Sequence, residues 1–233
     1  MKMMNKTGFL IVALGVVLLS CNQNNSKTET ANSNFVEETT MEQIENLQEL
    51  DTTKVKKEIQ NLVRKMLNWA ESDDVVDVLP LVADDDDVVI GFDLDKHKAT
   101  LNALRATGFF AEEFIENYNK IIVTLDKKVR NNEFGEFFIT EMPPLRFATG
   151  ASPWCNCQDV PYDNPNPWDD VEIEVIKLNN DRAQVIWKWG RHDLNSHPSV
   201  TGFTYTFSTV KENGKWKIAY MEEFDFEIST KKY

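Results

Sequence analysis

Residues 171–189 read VEIEVIKLNNDRAQVIWKW, and this stretch decides the fold class. Residues 171–178 alternate in character, Asn179-Asn180-Asp181 supplies turn chemistry, and Ala183, Val185, Trp187 and Trp189 alternate again. A period of two puts every second side chain on one face of a strand, so the stretch is an antiparallel hairpin. A second hairpin follows: Phe203, Tyr205 and Phe207 alternate, Glu212-Asn213-Gly214 turns, and Trp216, Ile218 and Tyr220 return.

Upstream the period changes. Val55, Ile59, Leu62, Met66 and Trp69 recur at spacings of four and three, one apolar stripe of a helix over 54–71. A second helix is expected over about 96–106 through Leu101 and Leu104, ended by Gly108 as its C-cap. A third carries Phe110, Phe114, Tyr118, Ile122, Leu125 and Val129 on one face. Helices first and hairpins later give an α+β domain, expected to span 54–233 as a single unit.

Residues 22–53 are dominated by Asn, Gln, Ser, Thr and Glu, with Phe35-Val36 the one adjacent apolar pair. So little apolar surface cannot offset ordering entropy, and 21–53 is expected to be a flexible tether, with weak helical spacing over 41–50. Before it, Lys2 and Lys6 precede an apolar run from Gly8 to Leu19. Those 12 residues fall short of the roughly 20 that a membrane-crossing helix needs and suit the core of a secretory signal over 1–20.

The whole sequence of 233 residues has 25 Lys+Arg against 38 Asp+Glu, a net charge of −13. Without the two lysines of the leader it becomes −15. A nucleic-acid partner is excluded on this balance, because binding phosphates requires a basic footprint.

Leu18-Leu19-Ser20-Cys21 resembles the lipobox of bacterial lipoproteins at all four positions. The resemblance implies that Cys21 is acylated and becomes the new N-terminus, so that the membrane is reached through a lipid anchor. Asn22 after the cysteine implies delivery to the outer membrane, with the protein facing the periplasm. Helices followed by long hairpins and a closing strand Gly-Lys-Trp-Lys-Ile-Ala-Tyr at 214–220 look like the nuclear transport factor 2-like cone. Thr107-Gly108-Phe109-Phe110 and Pro153-Trp154-Cys155-Asn156-Cys157-Gln158-Asp159 are similar to segments of uncharacterised bacterial lipoproteins of that superfamily. The resemblance covers about 54–226 and implies a curved sheet wrapped over helices around an apolar cavity. That scaffold hosts isomerases and dehydratases as well as non-catalytic binding domains, so fold alone does not assign an activity. Its isomerases use a buried Asp and a Tyr-based oxyanion hole, whereas the first helix here offers Trp69, which has no acid–base function.

Four constellations remain. Ten acids and no base lie between Glu71 and Asp95. They suit either a Ca²⁺ site or a solvated acidic edge, and Asp93-Leu94-Asp95-Lys96-His97 lacks the third ligand and the glycine of an EF-hand. Cys155 and Cys157, the thiols left after lipidation, are spaced as a structural pair or a strained, reducible disulfide, set in a proline-bounded loop. His192, Asp193 and His197 have a spacing compatible with a transition metal, or simply occupy a solvated loop. Trp69, Trp187, Trp189, Tyr205 and Phe207 either line an amphipathic pocket for a small hydrophobic ligand or form plain core.

No phosphate loop, dinucleotide fingerprint, nucleophile elbow or His-Glu-x-x-His helix occurs, and no cofactor is expected. The reading is a lipid-anchored envelope binding domain. It would take a small hydrophobic ligand in the cone, or an envelope protein or a second copy on the sheet. The alternative is a cone-site hydrolase, isomerase or dehydratase using a buried acid.

Overall fold

In the computed structural model the residues described are 41–158, 166–169, 171–190 and 202–233, with main chain alone for 41–50 and 167. The hairpin at 171–189 forms as its alternation dictates. Strand β3 (Val171–Leu178) pairs antiparallel with β4 (Arg182–Trp189), and Ala183, Val185 and Trp187 are buried on one face. β5 (Tyr205–Glu212) and β6 (Lys215–Met221) make the second hairpin, joined by Asn213 and Gly214 at φ 51° and 78°. Two successive positive φ values match the right-handed twist of the strands, and Asn-Gly adopts them readily. β4 and β5 pair in turn, giving a sheet of order β3-β4-β5-β6. Upstream lie α1 (Met41–Ala70), a short hairpin of β1 (Leu81–Ala83) and β2 (Val89–Phe92), α2 (Leu94–Thr107) and α3 (Glu112–Arg130). A single turn, α4 (Phe226–Ser229), closes the chain. The domain is α+β, as the two periodicities require.

Both long helices lie on the sheet. α1 packs on β3 and β6, while α3 packs on β6, β2 and α2. Ile59, Val63, Met66 and Leu67 of α1 and Phe114, Ile115, Tyr118, Ile121, Ile122 and Leu125 of α3 are wholly buried. Two α1 side chains also reach the edge strand: Gln60 Nε2 donates to Ile173 O at 2.8 Å and Arg64 Nη2 to Val171 O at 2.8 Å. At the far edge, Ala111 N donates to Ile218 O and Ile218 N to Phe109 O, both at 2.8 Å.

Several expectations are corrected. The first helix starts at Met41, not near 54, so it takes up part of the expected tether. Residues 41–50 are largely Glu, Gln and Leu, good helix formers, and extending an existing helix adds one hydrogen bond per residue fixed. The compact unit accordingly runs Met41–Tyr233. Gly108 does cap α2, at φ 71° with its N–H on Arg105 O. Tyr220 does not share the buried face with Trp216 and Ile218. Thr209 pairs with Ile218 and Ser208 with Tyr220, so Ala219 is an extra residue and the alternation shifts by one. Met221 is thereby buried, and the Tyr220 hydroxyl reaches Asp225 Oδ2 at 3.4 Å. A second bulge, at Ile176 between pairs Val175–Val185 and Lys177–Gln184, leaves Ile176 exposed.

The acidic stretch hides a hairpin. Asp84 Oδ1 accepts from the N–H groups of Asp86 and Val88, and Asp87 sits at φ 63°, so these acids build the β1–β2 turn. Asp93 caps α2 by accepting from Lys96 N, and Asp77 accepts from Leu79 N and pairs with Lys96. Among the described residues no three His, Cys, Asp or Glu side chains gather as a metal site would require.

Candidate functional site

The five aromatic residues singled out from the sequence divide between two groups of rings. Trp69, half-buried on α1, meets Trp154 at 5.1 Å, Phe110 at 5.7 Å and Phe109 at 6.1 Å between ring centroids. Trp154 also meets Phe224 at 5.1 Å, and Phe224 meets Phe114 at 4.8 Å. These rings fill the space between α1, α3 and the end of β6.

Trp187 and Trp189 belong to the second group. Trp168 and Trp189 stack with centroids 5.7 Å apart and planes within 18°, and Trp187 stands edge-on to both at 86° and 88°. Phe203 closes the group 4.8 Å from Trp187. Trp168 and Trp187 are buried, whereas Trp189 and Phe203 are half-buried. Trp168 Nε1 and Trp187 Nε1 are both buried without an acceptor among the described residues, as is Trp216 Nε1 outside this group. Tyr205 and Phe207, buried in β5 and 5.0 Å apart, continue this group along the sheet.

Trp168 escaped the sequence reading because it falls in a Pro- and Asn-rich loop with no periodicity. Its only signal is a large apolar side chain where the surroundings are polar. Phe203 was visible in the alternation but lies just before β5 begins.

Three titratable side chains inside the fold, Tyr118, Tyr205 and Asp126, are held by structural hydrogen bonds. Tyr118 OH donates to Val78 O at 3.0 Å, and burial holds its phenol far above the ordinary range. Tyr205 OH donates to Pro153 O at 2.6 Å and accepts from Glu223 N at 3.2 Å; burial again raises its pKa. Asp126 accepts from Phe92 N at 2.8 Å and from Arg130 Nε at 2.8 and 2.9 Å. Glu223, half-buried, is raised by desolvation and then by the charge of Glu222, while Arg146 works the other way.

His97 is a buried titratable group on α2. It is 3 % exposed and donates from Nε2 to Asn119 Oδ1 at 3.0 Å, which leaves Nδ1 buried without a donor. Burial lowers its pKa below 6.5, the Asn119 contact opposing this in part. Between that lowered value and pH 6.5 the unfolded chain binds a proton that the folded one does not, so stability falls as the pH drops below 6.5. We expect urea unfolding to lose at most about 1.4 kcal/mol per pH unit from this group. His97→Gln, which keeps a donor toward Asn119, is expected to flatten that dependence. An unchanged profile in His97→Gln would show that other groups carry it.

Cys155 and Cys157 are disulfide-bonded. Cys155 is wholly buried beside Trp154 in sequence, and Cys157 is half-buried. Ser152 N donates to Cys157 O at 3.1 Å and Asn156 N to Ser152 O at 2.7 Å, so the main chain braces the same loop. This geometry fits a structural pair. Two further sets lie outside the described residues: Cys21, and the His192, Asp193 and His197 trio. A groove of about 390 Å³ between α1 and β3 is lined mostly by polar side chains, Lys56, Gln60, Glu172, Glu174 and Lys188, with Ile173 and Val175 between them, which suits an uncharged hydrophobic ligand poorly. No helix among the described residues is long and apolar enough to cross a membrane. No protein-family model, curated protein or solved structure matches this chain.

Proposed function

We propose that the chain is a lipid-anchored envelope protein, held at the outer membrane through Cys21, whose nuclear transport factor 2-like domain binds a small apolar ligand. The site is the cluster of Trp168, Trp187, Trp189 and Phe203. The reading of the anchor rests on Leu18-Leu19-Ser20-Cys21. The cone reading is supported by a four-strand antiparallel meander laid over α1 and α3.

The observation that carries the ligand is the pair of buried indole N–H groups with no acceptor, in a cluster whose other two rings are half-buried. An unpaired buried donor costs about 1–3 kcal/mol, which a ligand carrying an acceptor recovers on binding. The chemistry called for is a flat ring bearing a carbonyl or ether oxygen. A protein partner on the outer face of the sheet is less well supported, because Glu172, Glu174, Gln184, Lys188 and Ser208 make that face polar. Catalysis is also less well supported, since Asp126, Tyr118 and Tyr205 are spent on structural hydrogen bonds.

Native mass spectrometry of the protein from its own host is expected to show a retained small molecule. Acetylnaphthalene is expected to quench tryptophan emission saturably, and Trp189→Leu to weaken that binding about ten-fold. A protein that carries no small molecule and shows no saturable quenching would refute the ligand site.

A further inference from the structure

Beyond that ligand site, the geometry points to a second binding surface: the β1–β2 hairpin and the segment paired with it form a docking site for a cationic protein segment carrying apolar anchors. Residues 137–139 extend the hairpin through a single antiparallel bridge. Val89 N donates to Phe137 O and Ile139 N to Asp87 O, both at 2.9 Å, and Val88 bridges Phe138. This small sheet lies on α3, which contacts β2, so its inner side is core: Val89, Phe92, Phe134 and Phe137 are buried.

Its outer side carries Ile90 and Phe138, 44 % and 45 % exposed, and the turn that follows adds Ile139 and Met142 at 39 % and 69 %. They are close neighbours: Phe138 is bridged to Val88, two residues before Ile90, and Met142 follows Glu141, whose N–H donates to Phe138 O. Isolated exposed apolar residues are ordinary, but several gathered at one small sheet mark an interaction surface.

Charge identifies the occupant. Residues 81–92 and 133–142, the two strips that make this surface, contain seven acids (Asp84, Asp85, Asp86, Asp87, Glu133, Glu136 and Glu141) and no Lys, Arg or His. None of the seven forms an ion pair among the described residues. Arg130 and Lys232 reach these strips from outside, at Phe92 O and Phe134 O, so the acids remain in excess around the apolar patch, and that excess steers a basic segment onto it and repels an acidic one. A second copy would set the same acids against each other, and an anionic lipid surface meets the same repulsion. The chain's own residues 22–40 hold Lys27 against Glu29, Glu37 and Glu38, the wrong sign for this surface.

The probes are three synthetic peptides of equal length: alternating Lys and Leu, alternating Glu and Leu, and Lys alone. Titrated onto the full chain, the Lys/Leu peptide is expected to bind most tightly, and to weaken about ten-fold between low and physiological salt. Phe138→Ser and the triple change Asp85→Asn, Asp86→Asn, Asp87→Asn are each expected to weaken it about ten-fold. All four positions are exposed, so circular dichroism should be unchanged. Equal binding by the Lys-only peptide would reduce the surface to a charge effect and overturn the apolar half of the proposal. No binding, binding unmoved by Phe138→Ser, or self-association that Phe138→Ser abolishes would overturn it entirely. Loss of acetylnaphthalene binding in Trp189→Leu concerns the other site, so the two readings fail separately.

Discussion

Trp154→Ala is expected to lower unfolding stability by about 4 kcal/mol, near the top of the range for aromatic truncation in a core. Trp154 is 3 % exposed and its ring lies 5.1 Å from Trp69, 5.1 Å from Phe224, 5.5 Å from Phe110 and 6.5 Å from Phe114. Four aromatic neighbours on different elements cannot all move inward, so most of the vacated volume stays empty and the cavity contribution is added to the lost transfer energy. The segment is also pinned from the other side, since Tyr205 OH donates to Pro153 O. Urea denaturation should show a lower midpoint at unchanged m-value. Trp154→Phe keeps a ring in place and is expected to recover about half of the loss. A loss below about 1.5 kcal/mol in Trp154→Ala would mean that the rings collapse onto the site, and that this core is less constrained than its geometry indicates.

Gly91→Ala is expected to cost about 3 kcal/mol, although it adds a single methyl group. Gly91 sits at φ 150°, and a Cβ there would stand 2.7 Å from Asp126 Oδ1 and 2.8 Å from Arg130 Cζ. Asp126 is the acceptor for the buried Phe92 N–H and the partner of Arg130, so displacing it orphans a donor and breaks the pair together. Asp126→Ala alone is expected to cost about 2–3 kcal/mol for the same two reasons. The two changes remove one arrangement, so their effects should not add. In the Asp126→Ala background Gly91→Ala should cost less, because only the flexible, half-exposed Arg130 remains in the way. Strict additivity in that double-mutant cycle would show that backbone strain at Gly91, not the collision, sets the cost.

What could be read beforehand was whatever repeats with a fixed period. The hairpin of 171–189 and the α3 stripe from Phe114 to Val129 recur every two residues or every three to four, and both form; Phe110, expected at the head of that stripe, instead lies before the helix and bridges Ile218. What could not be read breaks the period or contributes through a single residue. The extra residue at Ala219 leaves no trace in KWKIAYM, because Tyr220 suits either face until the Asp225 carboxylate is known to lie beside it. Asp84–Asp87 read as charge alone, since their turn-forming hydrogen bonds are local and carry no periodicity. Trp168 and Trp154 sit in irregular segments and find their neighbours only through tertiary packing. The grouping of Trp187 and Trp189 was visible in the strand, but their separation from Trp69 was not, since it depends on where α1 crosses the sheet.

The sheet's two borders have a consequence for life at high protein concentration. An open strand border is a template on which another chain can polymerise. Here Gln60 and Arg64 occupy the carbonyls of Ile173 and Val171, and the bulge at Ile176 twists the rest of β3 out of register for a straight partner. The Phe109–Ala111 segment occupies Ile218 on the opposite border. The chain thus resists fibril growth by strand addition at both ends of the sheet, so Gln60→Ala combined with Arg64→Ala should hasten aggregation more than it lowers stability.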